Sequence, residues 1–324
     1  MSIEQQLSKA FKHNESSLQC PPSLDAQILA DYEQAVSGKG RNDHMKKKAG
    51  LPKIAVIALI VAVLCGFAYG SKFLFSDSTS SLSYQFFSGD AFHLDLDKLE
   101  NTRASLREVK AQLEPGEAAL VYLPGIIKDM PVFGVASPHY IYDNAQWESI
   151  LEERGITEQL PQSMLAGAYQ FEAGTLNNPF YPYIDYDQEK IVEEMEAEKK
   201  SKNENETIWR KAEYTAMPSG ISMYTSVYRN VSGSAINYSW QVYDDSVVKI
   251  DAYTSPDTEY EEYNVNGKKV HYTKNKQSLL ADNGVLQSVM WMADKDGKTT
   301  IYSLESDSLD MTKETLIEAV RSLP

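Results

Sequence analysis

The chain has 324 residues, with 31 Lys and Arg against 46 Asp and Glu and a formal net charge of −15. So acidic a chain repels nucleic acid and anionic lipid headgroups and tolerates cations and basic partners, which excludes a nucleic-acid-binding role. Its two cysteines, Cys20 and Cys65, leave the remaining 259 residues without a thiol, so that part must be held by its core rather than by disulfides.

Residues 1–50 hold seven basic and six acidic side chains and are nearly neutral. Ser2-Ile3-Glu4-Gln5 fits a capping box, and Ile3, Leu7, Ala10 and Phe11 follow at helical spacing. Pro21-Pro22-Ser23 opens a second helix with the stripe Leu24, Ile28, Leu29, Tyr32 and Val36, closed by Gly38 and Gly40. Two short amphipathic helices cannot cover their own apolar stripes. Leu24, Ile28, Leu29 and Tyr32 are therefore the candidate partner-binding residues, the alternative being a segment that lies on a membrane or stays unfolded.

Residues 54–71, IAVIALIVAVLCGFAYGS, carry no charge. A helix of about 18 residues is near the minimum for crossing a bilayer core. The pattern predicts a single span, with Lys53 and Lys72 as flanking residues reaching to the headgroups. Lys46, Lys47, Lys48 and Lys53 crowd the N-terminal side, so the positive-inside rule predicts a single-pass cell-membrane protein with its N-terminus in the cytoplasm. The expected organisation is a cytoplasmic helical segment (1–50), a transmembrane helix (51–75), a polar linker (76–83), an extracytoplasmic mixed α/β part (84–204) and an extracytoplasmic antiparallel sheet with a C-terminal helix (205–324).

Within 84–204, Leu96, Leu99, Leu106, Val109 and Leu113 predict a helix ended by Pro115-Gly116. Strands are expected over 118–123, 132–136 and 169–172, and a helix capped at Asp143 or Asn144 runs to Arg154 and stops at Gly155. The stretch NNPFYPYIDYD, residues 177–187, reads as an irregular loop. Its rings either contact a ligand or, as the preferred reading, pack over a sheet edge. A solvated, charged helix follows over 188–205, with only Ile191, Val192 and Met195 able to face inward.

From residue 208 strands dominate. Residues 221–228, 235–243 and 247–253 alternate, Asn266-Gly267 joins 260–265 to 268–273, and Asp296-Gly297 joins 286–293 to 299–304. A helix capped by Thr312 closes the chain over 313–322. Sequential hairpins imply an antiparallel meander with helices packed on one face, so the expected fold class is α+β behind a single transmembrane helix.

The phrase PPSLDAQILADYEQ, residues 21–34, resembles membrane-bound anti-sigma factors of Gram-positive bacteria. The runs VNGKKVHYTK (265–274) and VMWMADKDGKTTIYSLESDSLDMTKETLIEAV (289–320) resemble an uncharacterised extracytoplasmic domain family found behind a single span. These resemblances imply a cytoplasmic sigma factor or other regulator as partner, an outer domain sensing a ligand or the envelope state, and no catalytic residues. A membrane-anchored ligand-binding or carrier domain is the alternative.

Reactive constellations are sparse. Ser246-x-x-Lys249 with Lys298-Thr299-Thr300 has the spacing of penicillin-recognising enzymes but lies in strands, where those enzymes use a helix. His93, Asp95 and Asp97, with Asp90 and the acidic run Asp257, Glu259, Glu261 and Glu262, could hold a cation, although a solvated acidic face is the simpler reading. His139 and His271 have no evident partner in the sequence. No catalytic residue, no metal ligand and no cofactor is therefore expected.

Overall fold

The computed structural model describes residues 72–323 except 89–95, 125, 127–130, 157–159, 203–206, 214–216, 218–219, 245–246 and 296. Fourteen strands and four helices form three sheets among these residues. The largest sheet is antiparallel throughout and has the order β11 (Glu259–Val265), β12 (Lys268–Asn275), β13 (Leu286–Lys295), β14 (Lys298–Ser306), β9 (Ala235–Tyr243), β8 (Ile221–Arg229), β6 (Tyr169–Thr175), β5 (Ser163–Met164). A second sheet has the order β1 (Lys72–Ser78), β2 (Ser83–Ser88), β10 (Lys249–Thr254), with β2 and β10 parallel. The third is β4 (Val132–Ala136), β3 (Ala118–Tyr122), β7 (Ile208–Ala212).

Side-chain alternation gives the large sheet two unlike faces. On one, Tyr224 and Tyr228 of β8, Tyr238 and Trp240 of β9, Leu304 of β14 and Trp291 of β13 form an apolar surface. It is covered by α2 (Asn144–Glu153), through Trp147 and Leu151, and by α4 (Lys313–Ser322), through Leu316, Ile317 and Val320. The other face meets the β1-β2-β10 sheet, where Phe75, Leu82, Tyr84 and Ile250 pack on Ile221, Tyr243 and Ile301. The small β4-β3-β7 sheet is apolar on both faces because helices cover both. Leu99, Leu106 and Val109 of α1 (Leu96–Lys110) pack on Ala119 and Val121, while Met195 of α3 (Gln188–Ser201) packs with Leu120 and Tyr122.

Local chemistry accounts for the turns and caps. Asn266 and Gly267 have φ of 53° and 77°, the left-handed pair that a two-residue hairpin turn requires. Thr312 caps α4, its side chain accepting from the Thr315 amide at 3.1 Å. Thr312→Ala should cost about 1 kcal/mol, read as a lower urea midpoint with an unchanged slope, and Thr312→Ser should restore most of it.

Three expectations are corrected here. The fold class is not α+β with one meander: strand outweighs helix by 43% to 21%, three sheets are present, and the second face of the large sheet is covered by another sheet rather than by helices. No helix among the described residues is long and apolar enough to cross a membrane. The longest, α1, has 15 residues and is charged along its length, against about 20 apolar residues for a span. The single-pass cell-membrane localisation and the transmembrane reading are withdrawn on that finding. Residues 54–71 and Lys53 lie outside the described residues, and Lys72 opens strand β1 rather than closing a span.

Several expected boundaries also look different in the fold. Residues 76–83, read as a linker, hold the end of β1, a turn and the first residue of β2. The division at residue 205 is crossed in both directions, since β5 and β6 join the large sheet and β7 joins β3 and β4.

Candidate functional site

The face of the large sheet that meets β1-β2-β10 is buried yet rich in polar groups. Registered pairs place Asn237 opposite Glu305, Ser239 opposite Ser303 and Gln241 opposite Ile301 across β9 and β14. Ser288 of β13 is opposite Glu305, and Thr273 of β12 is opposite Ser288. A structural core has no use for so many hydroxyls, amides and a carboxyl, because each costs free energy unless it is hydrogen-bonded.

Glu305 is the most unusual of them. It is 4% exposed, and Asn178 donates to its Oε2 at 2.7 Å. Burial pushes its carboxyl up to about 7, and the Asn178 hydrogen bond pulls it only part of the way back. The tyrosines above it respond: burial, then the Glu305 charge, raises the hydroxyls of both Tyr84 and Tyr181. Asn178 is set by its own loop, its Oδ1 accepting from the Phe180 amide at 2.8 Å in an Asx turn. Phe180 is buried against Ala281 and Leu286 with Tyr181 packed beside it, while Tyr186 packs instead with the cluster of Leu120, Tyr122 and Met195 on the small sheet.

Among the described residues three cavities touch this loop, of which the one under Pro182 holds only about 20 Å³ and the other two are larger. The inner one, of about 60 Å³, lies between the two sheets. Phe75, Tyr84, Phe86 and Tyr181 face it from one side, and Thr273, Ser288, Ser303 and Glu305 from the other. The outer one, of about 660 Å³, is open, and Pro179, Phe180 and Asn237 form the wall next to the inner site. Its other walls carry Glu172, Asp282, Asp307 and Asp310 against Lys110 and Arg229. Arg229 is spent on Glu172, 2.8 Å from its Nε, and on the Gly233 carbonyl, so the remaining charge is acidic. Asp307 is held above the usual carboxylate range by burial. Tyr142, 70% exposed, and Leu309, 81% exposed, stand in the cavity's lining, and the fully exposed Val231 stands on the β8–β9 turn whose Ser232–Ser234 segment lines it.

His271 also lines the inner cavity but is committed to structure. It is 1% exposed and stacks flat on Phe75, with ring centroids 3.9 Å apart. Its Nε2 lies 3.0 Å from Asp77 Oδ2 and its Nδ1 lies 3.0 Å from the Tyr260 hydroxyl. Burial lowers its pKa against the opposing pull of Asp77, so the ring is neutral, with Nε2–H donating to Asp77 and Nδ1 accepting from Tyr260. With both nitrogens engaged, the ring ties β1 to β12 and has no lone pair to offer a ligand.

The residues singled out in the sequence fare unequally. Leu24, Ile28, Leu29 and Tyr32 lie outside the described residues, as do Asp90, His93, Asp95 and Ser246. The acidic run is paired: Glu259 with Lys276, Glu261 with Lys313, Glu262 with Lys269, and Asp257 accepts from Gln277. Lys249 is bound to Asp251 at 2.8 Å. Glu305 and Asn178 were not among the candidates: in KTTIYSLES the alternation of Tyr302 and Leu304 with Ser303 and Glu305 assigns Glu305 to the polar side of a half-buried strand, and only the elements packed on that side bury it.

Comparison of the chain with family models, curated proteins and solved structures finds no match. The anti-sigma and signalling reading has nothing in these comparisons to support it and is withdrawn.

Proposed function

We propose that this chain is a binding protein without catalytic chemistry, and that its outer cavity receives a basic, partly apolar peptide segment. The observation that carries this reading is the mouth of that cavity. Of the five large hydrophobic side chains exposed among the described residues, Tyr142 and Leu309 line it and Val231 stands on its adjoining turn. Exposed apolar groups gathered at one opening mark an interaction site, whereas the same groups scattered singly would not. The acidic walls select for positive charge, and burial of Asp307 gives a cationic ligand a poorly solvated carboxyl to pair with.

The test uses the full-length chain and an amidated peptide alternating lysine and leucine, with its glutamate–leucine counterpart as control. Calorimetric titration should show saturable binding of the first and none of the second. Tyr142→Ala with Leu309→Ser should weaken binding by about tenfold or more while leaving the unfolding midpoint nearly unchanged, because neither side chain is buried. Equal affinity for the two peptides, or an unaffected double variant, would sink the reading.

A further inference from the structure

The inner cavity is separate from the peptide site and poses a different chemical problem. An almost fully buried carboxyl faces a small cavity, and Asn178 is its only side-chain hydrogen-bond donor among the described residues. No basic side chain of the described residues offsets it. His271 lines the same cavity, but Asp77 and Tyr260 occupy its ring nitrogens. Such a carboxylate must find either a proton or a cation.

The residues around it supply what a cation needs. Glu305, Ser288 and Thr273 stand in one cross-strand row on β14, β13 and β12, directly opposite one another in register. Ser303 is two residues before Glu305 on β14 and so on the same face. Directly opposed residues place their Cβ atoms about 5 Å apart, which lets oxygens on neighbouring strands converge on one ion. All four side chains line the cavity. At about 60 Å³ it exceeds the ~15 Å³ that a single water-sized occupant requires. Tyr84, Phe86, Phe75 and Tyr181 close the opposite side with aromatic rings, which favour positive charge.

We infer that the inner cavity is a binding site for a small monovalent cation, an alkali ion or ammonium, held by the Glu305 carboxylate and the hydroxyls of Ser288, Ser303 and Thr273. The donor set fixes the class. A carboxylate and hydroxyls are hard oxygen donors, and with the His271 nitrogens engaged the one soft atom in the lining is the weakly donating thioether of Met290, so the set favours a hard cation over a soft transition metal. One carboxylate is too little charge for a calcium-type cage, and no group of three His, Cys, Asp or Glu side chains that could hold a metal occurs among the described residues. An ion here would bridge β12, β13 and β14 beneath the loop that carries Asn178 and Tyr181.

The titratable groups facing Glu305 across the cavity are Tyr84, Tyr181 and His271. Burial keeps all three uncharged near neutrality, so Glu305 alone sets the pH dependence of the site. Protonation of Glu305 competes with the ion, and binding should strengthen from pH 6 to pH 8.

The experiment measures thermal unfolding of the full-length chain in sodium, potassium, ammonium and N-methyl-D-glucammonium chlorides at equal ionic strength. At least one small cation should raise the midpoint saturably above the bulky control, by mass action, at pH 8 and by less at pH 6. Glu305→Gln should abolish the difference, and Ser288→Ala should weaken it by about tenfold in apparent affinity. Identical midpoints in all four salts would overturn the inference, as would a cation preference that survives Glu305→Gln. Should Glu305→Gln fail to fold, Ser288→Ala and Thr273→Val decide alone: an unchanged preference in both overturns it.

Discussion

Gly174→Ala should be among the most destabilising single substitutions in the described part of the chain, lowering stability by about 3 kcal/mol. Gly174 lies in β6 with ordinary backbone angles, so the requirement is space rather than conformation. A Cβ built there would fall inside the indole of Trp147, overlapping Cγ, Cδ2 and Cε2. That indole cannot give way. It is 0% exposed, it anchors α2 to the large sheet, and its Nε1–H donates to Ser226 Oγ at 2.8 Å. The strand cannot retreat either, because Gly174 exchanges both backbone hydrogen bonds with Ile141 at 2.8 Å. A loss of that size corresponds to a fall of about 6–12 °C in the unfolding midpoint for a domain of this length. Trp147→Leu alone should also destabilise, by leaving a void. The double variant should be less unstable than the sum of the two, because each change accommodates the other. Strict additivity would show that the clash is not the cause.

What could be read from the chain follows the range of the interactions that decide it. Hairpin strands are set by local alternation and turn chemistry, so β9 spans Ala235–Tyr243 as expected, and Asn266-Gly267 makes the left-handed turn that the dipeptide predicts. Asp143 and Thr312 cap helices because a side-chain oxygen two or three residues before a free amide suffices. The β1-β2-β10 sheet was illegible for the opposite reason. β1 and β2 form a local hairpin, but β10 comes far later in the chain and runs parallel to β2, a pairing that no turn announces. Phe75, inside the stretch expected to form the transmembrane helix, is instead buried against His271 and Tyr260. The site was hidden in the same way. Asn178 and Glu305 are adjacent only because a loop folds over a sheet 127 residues away, and Asp77 reaches His271 across 194.

The Glu305 carboxyl should leave a mark on stability that runs against the usual behaviour of acids. In the unfolded chain it titrates near 4.5, and in the folded chain burial moves it to about 7. Between those values the folded state keeps a proton that the unfolded state has released. Its contribution is thus favourable at low pH and is lost as pH rises through 7, by about 3 kcal/mol in full. Glu305→Gln keeps an acceptor for Asn178 but cannot ionise, so it should escape that loss. The variant should match the parent near pH 5 and be more stable by about 3 kcal/mol at pH 8.5 in a buffer whose only cation is N-methyl-D-glucammonium. Other shifted groups shape the parent's own profile: His271, with its pKa lowered by burial, works in the opposite direction, becoming more favourable as pH rises toward 6.5, and Asp307, raised by burial, works in the same direction as Glu305. Both are present in parent and variant, so the difference between them isolates Glu305. Urea unfolding at half-unit steps of pH is the measurement. A difference that stays flat from pH 5 to 8.5 would mean that Glu305 is already compensated by a charge inside the fold.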